Sequence, residues 1–250
     1  MRYGFLEDLA MIASAYIDGL NFYEASKNKW WYPYGWCDWK KTIQNYSPGA
    51  TVILKYFTSE ISPRNRGAKE RQQLHLRAME KVAGAQIIKG QIRQRNVVCR
   101  RCNELMVCPR CKSDSKLVEK QTDVNIAVHL VEDAIDEKFD EAYLITADLD
   151  LIPAVRVALR RNVGSRIGIL FPPDGLVSPE FNDLEREFAG RLRCSPLDLH
   201  RMQRFAEDLP ARWGLVLPKH WSKGAGPRPK VVEDQSLAVG FKRTARWWEE

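Results

Sequence analysis

Two rhythms of hydrophobic and polar positions run along this chain. Short apolar runs rich in β-branched and aromatic residues at 13–18, 51–58, 142–145 and 165–171 predict buried strands. Between them, apolar residues recur at helical spacing. Residues 64–84 place Leu74, Ala78 and Val82 on one face and stop at Gly84, and residues 152–161 open behind Pro153. A third helix begins at Thr122, read as its N-cap, with Val124, Ala127, Val128, Val131, Ala134 and Ile135 as its apolar stripe. Strands alternating with helices in this way predict a mostly parallel sheet covered on both faces. Residues 85–89 and 94–98 read as two further extended runs separated by Gly90. The aromatic segment 30–39, broken by Pro33 and Gly35, reads as a loop whose rings either stack on unpaired bases or fold onto the body. One more helix is expected over 196–209. Beyond Pro210 periodicity fades, and 219–229 has the composition of a linker. The resulting division is a domain over 10–196 and a C-terminal extension over 197–250, partly helical and then linker-like.

Acidic residues fall at meaningful places on this scaffold. Asp18 closes the first strand, and Asp148 and Asp150 follow the strand at 142–145 just before a helix. Carboxylates at the carboxyl ends of parallel strands face the crevice where open α/β sheets bind ligands. Two such groups a few ångströms apart repel unless a hard divalent cation shares them. Each has a plainer role available, since Asp18 and Asp148 also suit helix capping and Asp123 suits the positive end of a helix dipole.

Charge sharpens the picture. The chain of 250 residues carries a formal net charge of +7. Residues 64–112 hold thirteen Lys and Arg against Glu70, Glu80 and Glu104, so the rest is neutral to acidic. A basic segment beside a carboxylate cluster suits an enzyme acting on a polyphosphate backbone, although a solvated helix face gives the same count. No run of about 18 uncharged apolar residues is present, and Glu7 and Asp8 interrupt the N-terminal segment. No membrane partner and a cytoplasmic location are expected.

Cys99-Arg-Arg-Cys102 and Cys108-Pro-Arg-Cys111 are two C-x-x-C pairs at short separation. In a reducing compartment this spacing predicts a tetrahedral Zn²⁺ site, each pair forming a tight turn that aims both thiolates at one ion. With four thiolate ligands the zinc is structural. It pins a knuckle over about 97–114 whose Arg100, Arg101, Arg110 and Lys112 are candidate nucleic-acid contacts. Cys37 and Cys194 read as packing residues, and His75, His129, His200 and His220 lack the mutual spacing of a site.

Three motifs in order, Tyr16-Ile-Asp18-Gly-Leu-Asn21, Glu119-Lys-Gln-Thr-Asp123-Val-Asn-Ile-Ala and Leu144-Ile-Thr146-Ala-Asp148-Leu-Asp150-Leu-Ile-Pro153, resemble the NYN domain family of the PIN-like nuclease superfamily. The resemblance runs over roughly residues 13–195, and similar members carry a cysteine-pair insertion where Cys99 to Cys111 stand here. It implies a Rossmann-like three-layer α/β/α sandwich and a divalent-metal-dependent ribonuclease. Asp18, Asp123, Asp148 and Asp150 would form the acidic cluster that holds Mg²⁺ or Mn²⁺, with Asn21 and Thr146 at its rim. The family usually has glycine where this chain has Ala147, a change that matters if the turn requires a left-handed residue.

The expected activity is therefore hydrolysis of phosphodiester bonds, with single-stranded RNA as the favoured substrate and DNA as a second one. Two competitors stand beside it. One is a catalytically idle nucleic-acid-binding or regulatory protein acting through the zinc knuckle. The other is an aspartyl-nucleophile phosphatase using the Asp148 and Asp150 pair. The C-terminal extension, with Trp247 and Trp248, is expected to serve a protein partner or a homo-oligomer.

Overall fold

The computed structural model of the protein describes residues 11–26, 32–60, 66–99, 101–107, 115–172, 178–205 and 215. Six strands form one parallel sheet: β1 (Ile12–Asp18), β2 (Thr51–Thr58), β3 (Gln86–Lys89), β6 (Glu141–Ile145), β7 (Arg166–Phe171) and β8 (Leu192–Pro196). A separate antiparallel hairpin pairs β4 (Gln91–Asn96) with β5 (Ser115–Lys120). The sheet order is β3-β2-β1-β6-β7-β8. With the hairpin set aside as an insertion, this is the doubly wound Rossmann order, in which the chain reverses direction across the sheet between β1 and β6.

Alternating side chains of the sheet feed two cores. Ala13, Ala15 and Ile17 of β1 with Tyr143 and Ile145 of β6 face one layer, built from α1 (Gly19–Ser26), α2 (Trp39–Gln44) and α3 (Arg66–Lys81). Tyr16, Ala142 and Leu144 face the other, built from α4 (Thr122–Ile135), α5 (Ile152–Arg161) and α6 (Pro179–Glu187). The protein is a three-layer α/β/α sandwich.

The strands at 51–58 and 142–145 and the helix at 152–161 lie where the pattern places them. Several other expectations are corrected. The outer valines of α4 are not its buried stripe: Val124, Val128 and Ile135 are more than half exposed, whereas Ile126, Leu130 and Ala134 are buried. Both stripes are apolar at helical spacing, so periodicity alone could not choose between them. The buried stripe includes Asp133, which Tyr16 Oη (2.6 Å) and Lys55 Nζ (2.5 Å) satisfy with hydrogen bonds. Thr122 is not the N-cap of α4 but its first helical residue. The cap position belongs to Gln121, in the left-handed region at φ 78°.

The aromatic segment is not a loop throughout. Residues Tyr32–Trp36 form a 3-10 helix, and Asp38 caps α2 by accepting from Lys41 N at 3.2 Å. Trp36 and Trp39 are fully buried, which removes both as base-stacking platforms. Trp30 and Trp31 lie outside the described residues. Strand β4 starts at Gln91, three residues earlier than expected, because Gln91 already pairs with Lys120.

No helix forms over 196–205, the described part of the expected 196–209 helix. Pro196 is the last residue of β8, and the chain beyond is tied to α2. Gln203 N donates to Thr42 Oγ1 (3.0 Å), and Gln203 O accepts from Asp38 N (2.9 Å). Leu197, Met202, Phe205 and Leu215 are buried in the first core. No helix among the described residues is long and apolar enough to cross a membrane.

Candidate functional site

The switch point between β1 and β6 is where the sheet splays its loops apart, and Asp18 stands there as the last residue of β1. Its side chain is buried and held from two sides. Oδ1 accepts from Asn21 N at 3.0 Å, which also caps α1, and Oδ2 accepts from Thr146 Oγ1 at 3.2 Å. The capping role and the site role are thus carried by one carboxylate. Gly19 is required next to it, because a Cβ there would lie 2.6 Å from the Tyr56 ring.

From β6 the chain runs through Thr146 and Ala147 into a 3-10 turn at Leu149–Leu151 that leads into α5. Thr146 Oγ1 accepts from Asp148 N (3.1 Å), Asp148 Oδ1 accepts from Asp150 N (2.9 Å), and Asn21 Oδ1 accepts from Ala147 N (3.4 Å). Asn21 and Thr146 therefore stitch the β1 end to the β6 end. Ala147 is not among the residues with positive φ, so the turn does not need glycine at that position.

Asp123 enters from the first turn of α4. Burial pushes the Asp18 carboxyl up to about 7, with the charges of Asp123 and Glu119 adding to the rise against the lowering hydrogen bond from Asn21. The Asp123 carboxyl is also held above its ordinary range, first by partial desolvation and then by Asp148, Glu119 and Asp150. Asp18, Asp123, Asp148 and Asp150 thus belong to one mutually repelling acidic cluster. Among the described residues, however, no three His, Cys, Asp or Glu side chains are gathered closely enough to hold a metal ion. The donor set is hard oxygen throughout, of the kind that suits Mg²⁺ or Mn²⁺.

Glu119, the last residue but one of β5, is a fifth acid of this cluster that sequence reading passed over as a site residue. Its Oε1 accepts from Thr122 Oγ1 at 2.6 Å, and Thr122 Oγ1 is 3.5 Å from Ser59 Oγ. Gln72 of α3 in turn donates to Ser59 O at 2.8 Å. Gly90 closes this chain of contacts: a Cβ on it would stand 2.4 Å from Thr122 Oγ1 and 2.7 Å from the Lys120 carbonyl oxygen. The available signal was the placement of Glu119 four residues before Asp123, across a sharp turn through left-handed Gln121.

The first cysteine pair forms a tight turn. Cys99 N donates to Glu104 O (2.8 Å), Asn103 N donates to Cys99 O (2.9 Å), and Val98 bridges Leu105. The backbone amides of Arg101 and Cys102, followed by the Cys102 side chain, hold the Cys99 thiol below its usual range. That is the environment of a thiolate ligand. Arg101 is exposed at this turn. Cys108, Cys111, Arg100, Arg110 and Lys112 lie outside the described residues. Cys37 and Cys194 are buried in the two cores.

No family model matches the chain. A curated relative, the 6-hydroxy-3-succinoylpyridine 3-monooxygenase HspA of Pseudomonas putida (strain DSM 28022 / S16), is 24% identical over an alignment of 277 residues, covering 94% of this chain and 83% of its own. A solved structure of a protein of unknown function, VPA0982 from Vibrio parahaemolyticus RIMD 2210633, is similar with a TM-score of 0.48 and 16% identity, over 78% of this chain and 98% of that one. At these identities neither likeness assigns the chain to a family.

Proposed function

We propose that the protein is a divalent-metal-dependent nuclease of the NYN type that hydrolyses phosphodiester bonds, with single-stranded RNA as its main substrate. The observation that carries this reading is the cluster of Asp18, Asp123, Asp148 and Asp150, with Glu119, at the switch point of a doubly wound sheet. Like charges at that density favour a cation that offsets them. Asp18, Asp148, Asp150 and Asp123 are the residues that would hold Mg²⁺ or Mn²⁺. When bound, such an ion acidifies water to supply a nucleophile and offsets charge that builds on the scissile phosphate.

The chain's own side chains have distinct duties. Asn21 and Thr146 orient Asp18 and the 148–150 turn, and Thr122 orients Glu119. The basic elements meet the same end of the sheet: α3 through Gln72, and the β4–β5 hairpin through Gly90 and Lys120. Exposed Arg77, Arg93, Arg95 and Arg101 lie on these elements and suit backbone phosphates. The Cys99 turn would form half of a structural Zn²⁺ site that braces the hairpin.

The likeness to HspA supports a second reading, oxygenation of a small aromatic compound. Against it, β1 runs into Asp18-Gly19-Leu20-Asn21 instead of a glycine-rich turn, which puts a carboxylate where a dinucleotide pyrophosphate would sit. The deciding experiment incubates the full chain with labelled single-stranded RNA, hairpin RNA and DNA, with and without Mn²⁺, in parallel with the Asp148→Asn variant, and separately with 6-hydroxy-3-succinoylpyridine, O₂ and a reduced nicotinamide dinucleotide as electron donor. Mn²⁺-dependent RNA cleavage, reduced at least 100-fold in the variant, is the expected result. Full activity in Asp148→Asn would overturn the assignment. Salt-sensitive RNA binding without metal binding would instead favour an idle binding module.

A further inference from the structure

The outer face of α4 is apolar and exposed among the described residues. Val124, Val128 and Ile135 are 65%, 56% and 57% exposed, and Val157 of α5 beside them is 41% exposed. Val128, Ile135 and Val157, with Ala127, Val131 and Pro153, line a groove of about 640 Å³ between the two helices, and Val124 extends the apolar stripe beyond it. The charges nearby are already engaged. Arg156 and Arg160 of α5 bind Glu187 (2.8 and 2.9 Å), and Asp136 pairs with Lys138 (2.8 Å). Glu132 remains at the groove edge.

We infer that this face is the interface of a homodimer in which the α4 helices of two copies pack antiparallel about a two-fold axis. The argument is the symmetry of the stripe. About a centre between His129 and Leu130, Val124 is the mirror position of Ile135, and Val128 of Val131. A two-fold axis there sets Val124 against Ile135 and Val128 against Val131 of the second copy, with Ala127 against Glu132 at the margin, the reciprocal pairing of an isologous interface.

The size fits a modest dimer. Fourteen residues of α4 run about 21 Å, and α5 alongside widens the face to roughly 20 Å. That is about 400 Å² in plan per copy. With side-chain corrugation the total is on the order of 1,000 Å², the lower bound for a specific interface. The axis leaves Asp123, at the start of α4, near the edge of the contact, so each acidic cluster stays open to a polymer.

The test is sedimentation equilibrium of the full chain over a concentration series. The wild type is expected to approach twice its 28.8 kDa mass, and Val128→Glu to weaken association at least tenfold. Val163→Glu, at an exposed position outside the groove lining, should change nothing. Val128→Glu mixed with Val131→Lys should associate again, because the mirror order brings the new acid against the new base across the axis. Should Val131→Lys fail to fold, Val124→Glu with Ile135→Lys, both at exposed positions, gives the same readout. A wild type that stays monomeric throughout, including one whose groove is covered by its own residues 216–250, overturns the inference. So does a dimer indifferent to Val128→Glu.

Discussion

Replacing Asp18 with asparagine tests the electrostatic core of the site without any substrate. In the metal-free protein the Asp18 carboxyl sits near 7 instead of its ordinary 3.8. A raised folded-state value means that the fold holds this proton more tightly than the unfolded chain does. The contribution to stability is therefore complete below pH 3.8, declines as pH rises through the window between 3.8 and about 7, and is gone above it. A gap of about three pH units at roughly 1.4 kcal/mol each gives on the order of 4 kcal/mol, and Asp18 is too buried for solvent to screen much of it. Asp18→Asn removes the titration and keeps an acceptor for Asn21 N, while the Thr146 contact must reorient at about 1 kcal/mol. In thermal unfolding without Mg²⁺ or Mn²⁺, the variant should melt about 5–10 °C above wild type at pH 8 and within about 2 °C of it at pH 4.5. Adding Mn²⁺ at 100 times its dissociation constant should return about 2.7 kcal/mol to the wild type alone. An equal advantage for the variant at both pH values would refute the reasoning.

Three further outcomes follow from named contacts. Burial lowers His75 to about 4, so its contribution to stability is present above 6.5 and is lost as pH falls from 6.5 toward 4; His75→Phe, set among Trp36, Tyr56 and Phe205, should flatten that acid limb in pH-dependent melting. Gly90→Ala, with its new methyl 2.4 Å from Thr122 Oγ1, should cost about 1–3 kcal/mol by denaturant unfolding and slow RNA cleavage together. Thr122→Val leaves Glu119 without its hydroxyl donor and should weaken Mn²⁺ binding about 10-fold by calorimetry, with little change in melting temperature.

The strand-end acids were readable because strands announce their ends: an apolar run stops, and the next polar residue stands at the crevice. Asp18 follows that rule directly, and Asp148 stands two residues past Thr146, which does. The fold class was readable for the same reason, since β2 and α5 carry patterns with one solution. Helix α4 was not, because it has two apolar stripes and only tertiary packing decides which is inside; Asp133, buried by pairing with Lys55 and Tyr16, sits on the stripe that polarity argues against. Glu119 was hidden by a different cause. Its partner Thr122 is local, but that hydroxyl is positioned by Ser59 and Gly90, which are remote in sequence, and contacts of that kind leave no periodic trace. Residues 197–205 were misread as helix because only one turn closes on itself, Arg201 N and Met202 N donating to Asp198 O, while Leu197 N, Gln203 N and Phe205 N donate to Phe171 O, Thr42 Oγ1 and Trp36 O.

On the proposed metal-dependent reading, these contacts also say which part of the site would move when a cation bound. Asp123 rides on a helix fixed at both ends: Thr122 is locked against Gly90 and Ser59, and Asp133 is locked against Tyr16 and Lys55. Asp18 is the buried end of a central strand, paired along its length to β2 and β6. Asp148 and Asp150, in contrast, sit on a single 3-10 turn, with Asp150 and Leu149 exposed and the turn secured mainly by Thr146 and by its own Asp148 cap. If the acids share a cation as proposed, bringing them to metal-sharing distance would fall to the 148–151 turn moving toward Asp18 and Asp123. Thr146 would be the hinge of that motion, since its hydroxyl donates to Asp18 and accepts from Asp148 N. Thr146→Val should leave the sheet intact and uncouple the two. The loss should then appear as weaker Mn²⁺ binding, read by calorimetry, with Asp18 still buried; unchanged Mn²⁺ affinity would place the hinge elsewhere.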